Sequence, residues 1–151
     1  MTTADSTYID PSALVKLYLH EPESQAMALW CSRARRGLSV TLHGQVEMAN
    51  ALSLAAHRGL LDPSTLRSAL DALDDDFATG RLHLIDLHWR TVLKKAGELS
   101  RTYSATLGTR SLDVLHVASA LETGLQVFVT FDLRQQNLAR AVGLRVFTPR
   151  T

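Results

Sequence analysis

The chain has 151 residues, enough for one domain with a core of its own. Hydrophobic residues make up 46% and charged residues 21%, as in globular proteins; a formal net charge of +1 argues against a strongly basic nucleic-acid module, though not against an enzyme that meets nucleic acid through metal ions. The single cysteine, Cys31, excludes an internal disulfide and a cysteine-based zinc site, and it reads as a small buried residue on a helix. The opening MTTADSTYID has no basic segment followed by an apolar one, and no apolar run approaches the ~18 residues of a membrane span. The expectation is one cytoplasmic domain over residues 1–151 with no membrane association.

Taken in chain order, a short β-favouring run at residues 7–9 leads into Asp10, and Pro11 opens a helix over 11–19. A second helix covers 23–36. A strand at 38–42 precedes a helix over 44–58, and Asp62-Pro63 starts another over 63–78. A strand at 82–86 leads to a long helix over 89–104, whose Trp89, Val92, Leu93, Ala96, Leu99 and Tyr103 recur at helical spacing and read as core. Asp74, Asp75 and Asp76 read as a solvated run near a helix end. A helix over 111–123, a strand at 126–131, a helix over 134–142 and a strand at 145–148 complete the chain. Gly37, Gly59, Gly80, Gly124 and Gly143 each follow a helical segment, where glycine ends helices at little cost. Strands alternating with helices give an α/β fold with a parallel sheet, and QVFVTF, apolar on both faces, reads as a central strand.

Four acids stand where acids are costly or informative. Asp10 and Asp132 each follow a strand, the end at which open parallel α/β sheets place their sites. Either could equally be a helix cap, since Asp accepts from first-turn amides and Pro suits the first helical position. Glu47 lies in VEMANALSLAA and Asp113 in SLDVLHVASAL, both apolar nearly all round. A buried carboxylate costs several kcal/mol unless paired, hydrogen-bonded or metal-bound. Carboxylates gathered in one pocket repel and need a cation, and oxygen-only donors select Mg²⁺ or Mn²⁺. Such ions activate water toward phosphodiesters, so the chemistry indicated is metal-dependent phosphodiester hydrolysis. Thr130 shares a strand face with Asp132.

The segments YIDPSALVKLY, VEMANAL, SLDVLHVASAL and VTFDLRQQNLARAVGLRVF, in this order, resemble PIN-domain ribonucleases, most closely the VapC toxins of toxin–antitoxin pairs. The resemblance covers nearly the whole chain. It implies a three-layer α/β/α sandwich with a mostly parallel central sheet and an Mg²⁺- or Mn²⁺-dependent endoribonuclease. It also implies an RNA substrate, a homodimer and a small VapB-type antitoxin partner. Asp10, Glu47, Asp113 and Asp132 match the family's metal-holding catalytic acids, with Ser12 and Thr130 at supporting hydroxyl positions. Two positions depart from the family pattern. Pro11 stands where Ser or Thr is frequent, and Thr41 where a Ser commonly precedes the helix glutamate; both bear on substrate details more than on the carboxylates. His116, three residues after Asp113, reads as a hydrogen-bonded histidine or a ligand. Asn137 could orient a water or simply face solvent, and Arg134 could meet a phosphate or stand solvated beside the site.

Alternatives remain at this level. A non-catalytic RNA-binding module with the same fold would bind metal without turnover. A phosphatase with an Asp nucleophile after the first strand would ordinarily need a second Asp where Ser12 stands. In residues 11–36, Leu14, Leu17, Tyr18, Met27, Leu29 and Trp30 read as core with some available to line a groove for a partner helix.

Overall fold

The computed structural model describes residues 2–150. Its strands are β1 (Thr7–Ile9), β2 (Leu38–Val40), β3 (Leu82–Leu84), β4 (Val127–Val129) and β5 (Arg145–Phe147). Its α-helices are α1 (Pro11–Leu14), α2 (Ser24–Cys31), α3 (Leu42–His57), α4 (Pro63–Ala78), α5 (Trp89–Leu107), α6 (Ser111–Thr123) and α7 (Leu133–Ala141). Every strand pair is parallel. The ladders form in two pieces, β1-β4-β5 and β2-β3, with β2 packed beside β1.

Strand alternation divides the core. Tyr8, Phe128 and Val146 stand in one register row and face α5, α6 and α7. Ile9, Val129 and Phe147 stand in the next row and face the layer of α1 to α4. Both rows are apolar because both faces are covered, which is why the strands read as continuous hydrophobic runs. The result is a three-layer α/β/α arrangement, as expected.

Several elements begin or end elsewhere than the sequence suggests, some shorter and some longer. The first helix changes to a 3-10 turn at Val15–Leu17. The second ends at Cys31, and the amides of Arg35 and Arg36 donate to the Asp5 carboxylate instead of extending it. The third begins at Leu42 because Thr41 caps it, its hydroxyl accepting from the Gly44 amide. The fifth runs three residues past the expected end, to Leu107, and stops at Gly108 in the left-handed region (φ 68°). Gly37 does not terminate a helix in that way. A Cβ there would lie 2.2 Å from the Gly80 carbonyl oxygen, so close backbone approach requires the glycine.

Burial departs from expectation at several places. Leu93 is exposed although its helical neighbours are core. Helix α3 is not buried all round: Val46 is 68% exposed and Leu42 and Leu54 also face solvent, so the apolar composition marks an unpartnered face. Of the apolar residues in 11–36, Leu14, Met27 and Trp30 are core, and Leu29 is half exposed. Asp76 is not merely solvated; it accepts from the Tyr18 hydroxyl and pairs with Arg81. Cys31 is half-buried, with its thiol pushed up to about 12 by burial.

Candidate active site

The site gathers where β1 and β4 run into α1 and α7, with α3 and α6 bringing in the rest. Asp10 follows β1 and occupies the N-cap position of α1, yet its side chain makes no capping bond. The carboxylate is 1% exposed. Oδ2 accepts from the hydroxyls of Ser12 and Thr130, the latter at 3.2 Å. Oδ1 is buried with no hydrogen-bond partner. Burial holds the Asp10 carboxyl above its ordinary value, against the opposing pull of His116 and the Ser12 hydroxyl.

Asp132 follows β4, and its carboxylate does cap: Oδ1 accepts from the Gln135 amide at 3.0 Å. Its own amide donates to Thr130 Oγ1 at 3.0 Å, so Thr130 links Asp10 to Asp132. Asp113, in the first turn of α6, is 1% exposed and accepts from the Arg110 amide at 2.8 Å. Arg110 joins the two acids, its Nε 3.4 Å from Asp113 and its Nη2 3.2 Å from Asp132. Gln135 Nε2 donates to Asp113 Oδ1 at 3.1 Å, while Gln135 Oε1 is buried without a partner.

Glu47 is half-buried rather than enclosed, because α3 keeps its solvent face. It meets His116 Nε2 at 2.7 Å. His116 is fully buried on α6, with Nδ1 2.8 Å from the Tyr8 hydroxyl and Nε2 3.7 Å from Asp10 Oδ1. Burial, reinforced by the Asp10 charge, raises the Tyr8 phenol, which keeps its hydrogen; the hydroxyl shares one hydrogen with Nδ1, and Glu47 shares another with Nε2. His43 Nε2 stands 3.3 Å from His116 Nδ1 and the ring packs edge-on against Trp89. Burial, with His116 nearby, pushes the His43 imidazole down to about 4, so it is neutral at neutral pH.

The four expected acids, Ser12 and Thr130 thus form one contact network, from Glu47 through His116 and Asp10 to Thr130, Asp132, Arg110 and Asp113. Asn137 does not join it. It is exposed and makes no side-chain hydrogen bond among the described residues. On α7, Gln135 turns toward Asp113, and Asn137, two residues on, lies about 200° further around the helix. Arg134 is exposed, and Arg110 is the arginine at the acids. His43, Arg110 and Gln135 were not singled out by their sequence context. For His43 the signal available was its i,i+4 spacing to Glu47.

A model of the PIN domain matches residues 7–141. Ribonuclease VapC46 of Mycobacterium tuberculosis is 31% identical over 144 residues, covering 94% of this chain and 96% of that protein. Ribonuclease VapC35 of the same organism is 28% identical over 147 residues, with the same coverage. Among solved structures, Mycobacterium tuberculosis VapC20, a Sarcin-Ricin loop cleaving toxin, superposes with a TM-score of 0.64 at 16% identity over 91% of this chain and 95% of that one. VapBC2 from Rickettsia felis, bound to a DNA fragment from their promoter, gives 0.63 at 16% identity over 95% and 98%. FitAcB from Neisseria gonorrhoeae gives 0.62 at 16% identity over 93% and 96%. With the family model spanning nearly all of the layered core, the chain belongs to the PIN-domain family, among its VapC-type members.

Proposed function

We propose that this protein is a divalent-metal-dependent endoribonuclease that acts as the toxin of a type II toxin–antitoxin pair. The observation that carries the reading is Asp10: a carboxylate 1% exposed, not used as a cap, and leaving one buried oxygen without a partner. A buried anion costs several kcal/mol and persists where something compensates it. The donor set fits a hard cation, since Asp10, Glu47, Asp113 and Asp132 offer oxygens and the unpartnered oxygens of Asp10 and Gln135 lie within this network. These four acids would hold Mg²⁺ or Mn²⁺. When bound, the ion supplies Lewis-acid stabilisation of phosphate charge and a more acidic water.

The chain's own groups do the rest. Ser12 and Thr130 fix the orientation of Asp10 Oδ2, and His116 holds Glu47 through Nε2. Arg110, largely exposed at the rim of the acids, offers guanidinium donors to a phosphate oxygen. The ribonuclease names of VapC46 and VapC35 support RNA as substrate, and a VapBC structure among the neighbours supports a small VapB-type antitoxin as partner. The solvent-facing Leu42, Val46 and Leu54 of α3 are compatible with a homodimer or antitoxin contact. Among the described residues no helix is long and apolar enough to cross a membrane, in keeping with action in the cytoplasm.

The test is cleavage of total RNA by purified protein in Mg²⁺, Mn²⁺ or EDTA, beside Asp113→Asn. Cutting that needs metal and falls roughly 100-fold or more in a folded Asp113→Asn supports the reading. Metal-independent cutting, or equal cutting by the variant, overturns it.

A further inference from the structure

Helix α3 and helix α6 place nitrogen donors where the acids alone would offer only oxygen. One atom each of His43, Glu47 and His116 lie within 4.8 Å of one another. His43 and Glu47 are one turn apart on α3, the i,i+4 spacing that puts two side chains on one helix face. His116 meets them from α6, with Nε2 2.7 Å from Glu47 and Nδ1 3.3 Å from His43 Nε2. Two further atoms mark the place as one with bonding capacity to spare. Asp10 Oδ1, buried and without a partner, lies 3.7 Å from His116 Nε2, and His43 Nδ1 is buried and without a partner.

We infer that His43, Glu47 and His116 form a second ion site, selective for a borderline transition-metal ion such as Zn²⁺, Co²⁺ or Ni²⁺. Two imidazoles and one carboxylate suit these ions, whereas Mg²⁺ prefers oxygen donors throughout. The ion would replace the hydrogens now shared among the three side chains. With the ion on Nε2, Nδ1–H would donate to the Tyr8 hydroxyl oxygen, the outer hydrogen bond that orients a ligating histidine. Glu47 belongs to both donor sets. A borderline ion taken here would therefore withdraw a carboxylate from the oxygen set, making the pocket responsive to transition metals. The site itself does not depend on the nuclease reading, because it is defined by donors and can be tested by binding alone.

The experiment is titration of the purified, metal-stripped full-length protein with Co²⁺, followed by visible absorption, with Zn²⁺ added as competitor. Intense absorption bands of low-coordinate Co²⁺, removed by Zn²⁺, are expected. His43→Gln should abolish the bands and weaken Zn²⁺ at least tenfold, leaving Mn²⁺ affinity within twofold. Since a buried-site variant can be misfolded, Cu²⁺ electron paramagnetic resonance on the unmodified protein gives an independent reading: nitrogen hyperfine splitting is expected. Bands that persist in folded His43→Gln, an equal fall in Mn²⁺ affinity, or a Cu²⁺ spectrum without nitrogen coupling would overturn the inference. Loss of RNA cleavage would bear on the nuclease reading and leave these binding results standing.

Discussion

Asp10-Pro11 and Asp62-Pro63 are the same dipeptide at the start of a helix, yet the two aspartates have different surroundings. Asp62 is exposed and caps α4: its Oδ1 accepts from the Thr65 amide at 2.7 Å and from the Ser64 hydroxyl at 3.2 Å. Those bonds hold its carboxyl below the ordinary value. Asp10 makes no capping bond, sits in the core, and is held above the ordinary value by burial. Capping motif and local sequence are shared, so the difference comes from tertiary placement. Asp10 follows a central strand and faces Thr130 and His116, whereas Asp62 follows the turn between α3 and α4. One aspartate is committed to its helix, and the other keeps a buried oxygen without a partner.

Neutralising each acid should separate the two aspartates most strongly. Asp10→Asn should lower RNA cleavage roughly 100-fold or more, the scale of losing a metal-holding group, while Asp62→Asn should leave it unchanged. A milder change separates position from charge. Thr130→Val removes the hydroxyl that orients Asp10 Oδ2 and receives the Asp132 amide, and should cost about tenfold in cleavage with near-native folding.

Stability sharpens the contrast from the other side. Asp62→Ala removes a cap and should lower the melting temperature by a few degrees without touching activity. Asp10→Asn in metal-free protein should leave the melting temperature equal or raised, because a buried anion is removed. Calorimetric or circular-dichroism melts of both variants check this.

The smallest effect is in the pH dependence, and the two acids should carry opposite signs. Asp10 binds its proton more tightly when folded than when unfolded. Its contribution is therefore full below the ordinary value of 3.8 and is lost as pH rises through the raised folded value. Asp62 binds its proton less tightly when folded, so its contribution is present above 3.8 and is lost as pH falls through the lowered folded value. Melts of metal-free protein compared with each Asn variant should show the Asp10 difference growing against the wild type as pH rises, and the Asp62 difference shrinking as pH falls.

What the sequence revealed follows the range of the forces involved. The alternation of strands and helices and the apolar run before Asp132 were legible, because periodicity and burial of both strand faces are written locally. Asp113 was legible as a buried acid in an apolar helix. Glu47 met the same reasoning and differs, since α3 keeps Val46 and Leu42 in solvent and no other element covers them. Composition records what a helix could bury, not what packs on it. Arg110 and Gln135 were not legible, because each acquires its role from an acid brought near by a loop or a helix turn. The contact of His43 with His116 spans 73 residues of sequence, so only the fold makes it. Asn137, read as able to orient a water or to face solvent, faces solvent, and Gln135, two residues earlier on α7, is the one that meets Asp113.

The most direct measurement is Mn²⁺ binding together with RNA cleavage by folded Asp10→Asn, set beside Asp62→Asn under identical conditions. Mn²⁺ affinity and cleavage both lost in the first and both retained in the second is the expected result. Retention of both in Asp10→Asn would contradict the assignment of Asp10 as the freed, metal-holding carboxylate.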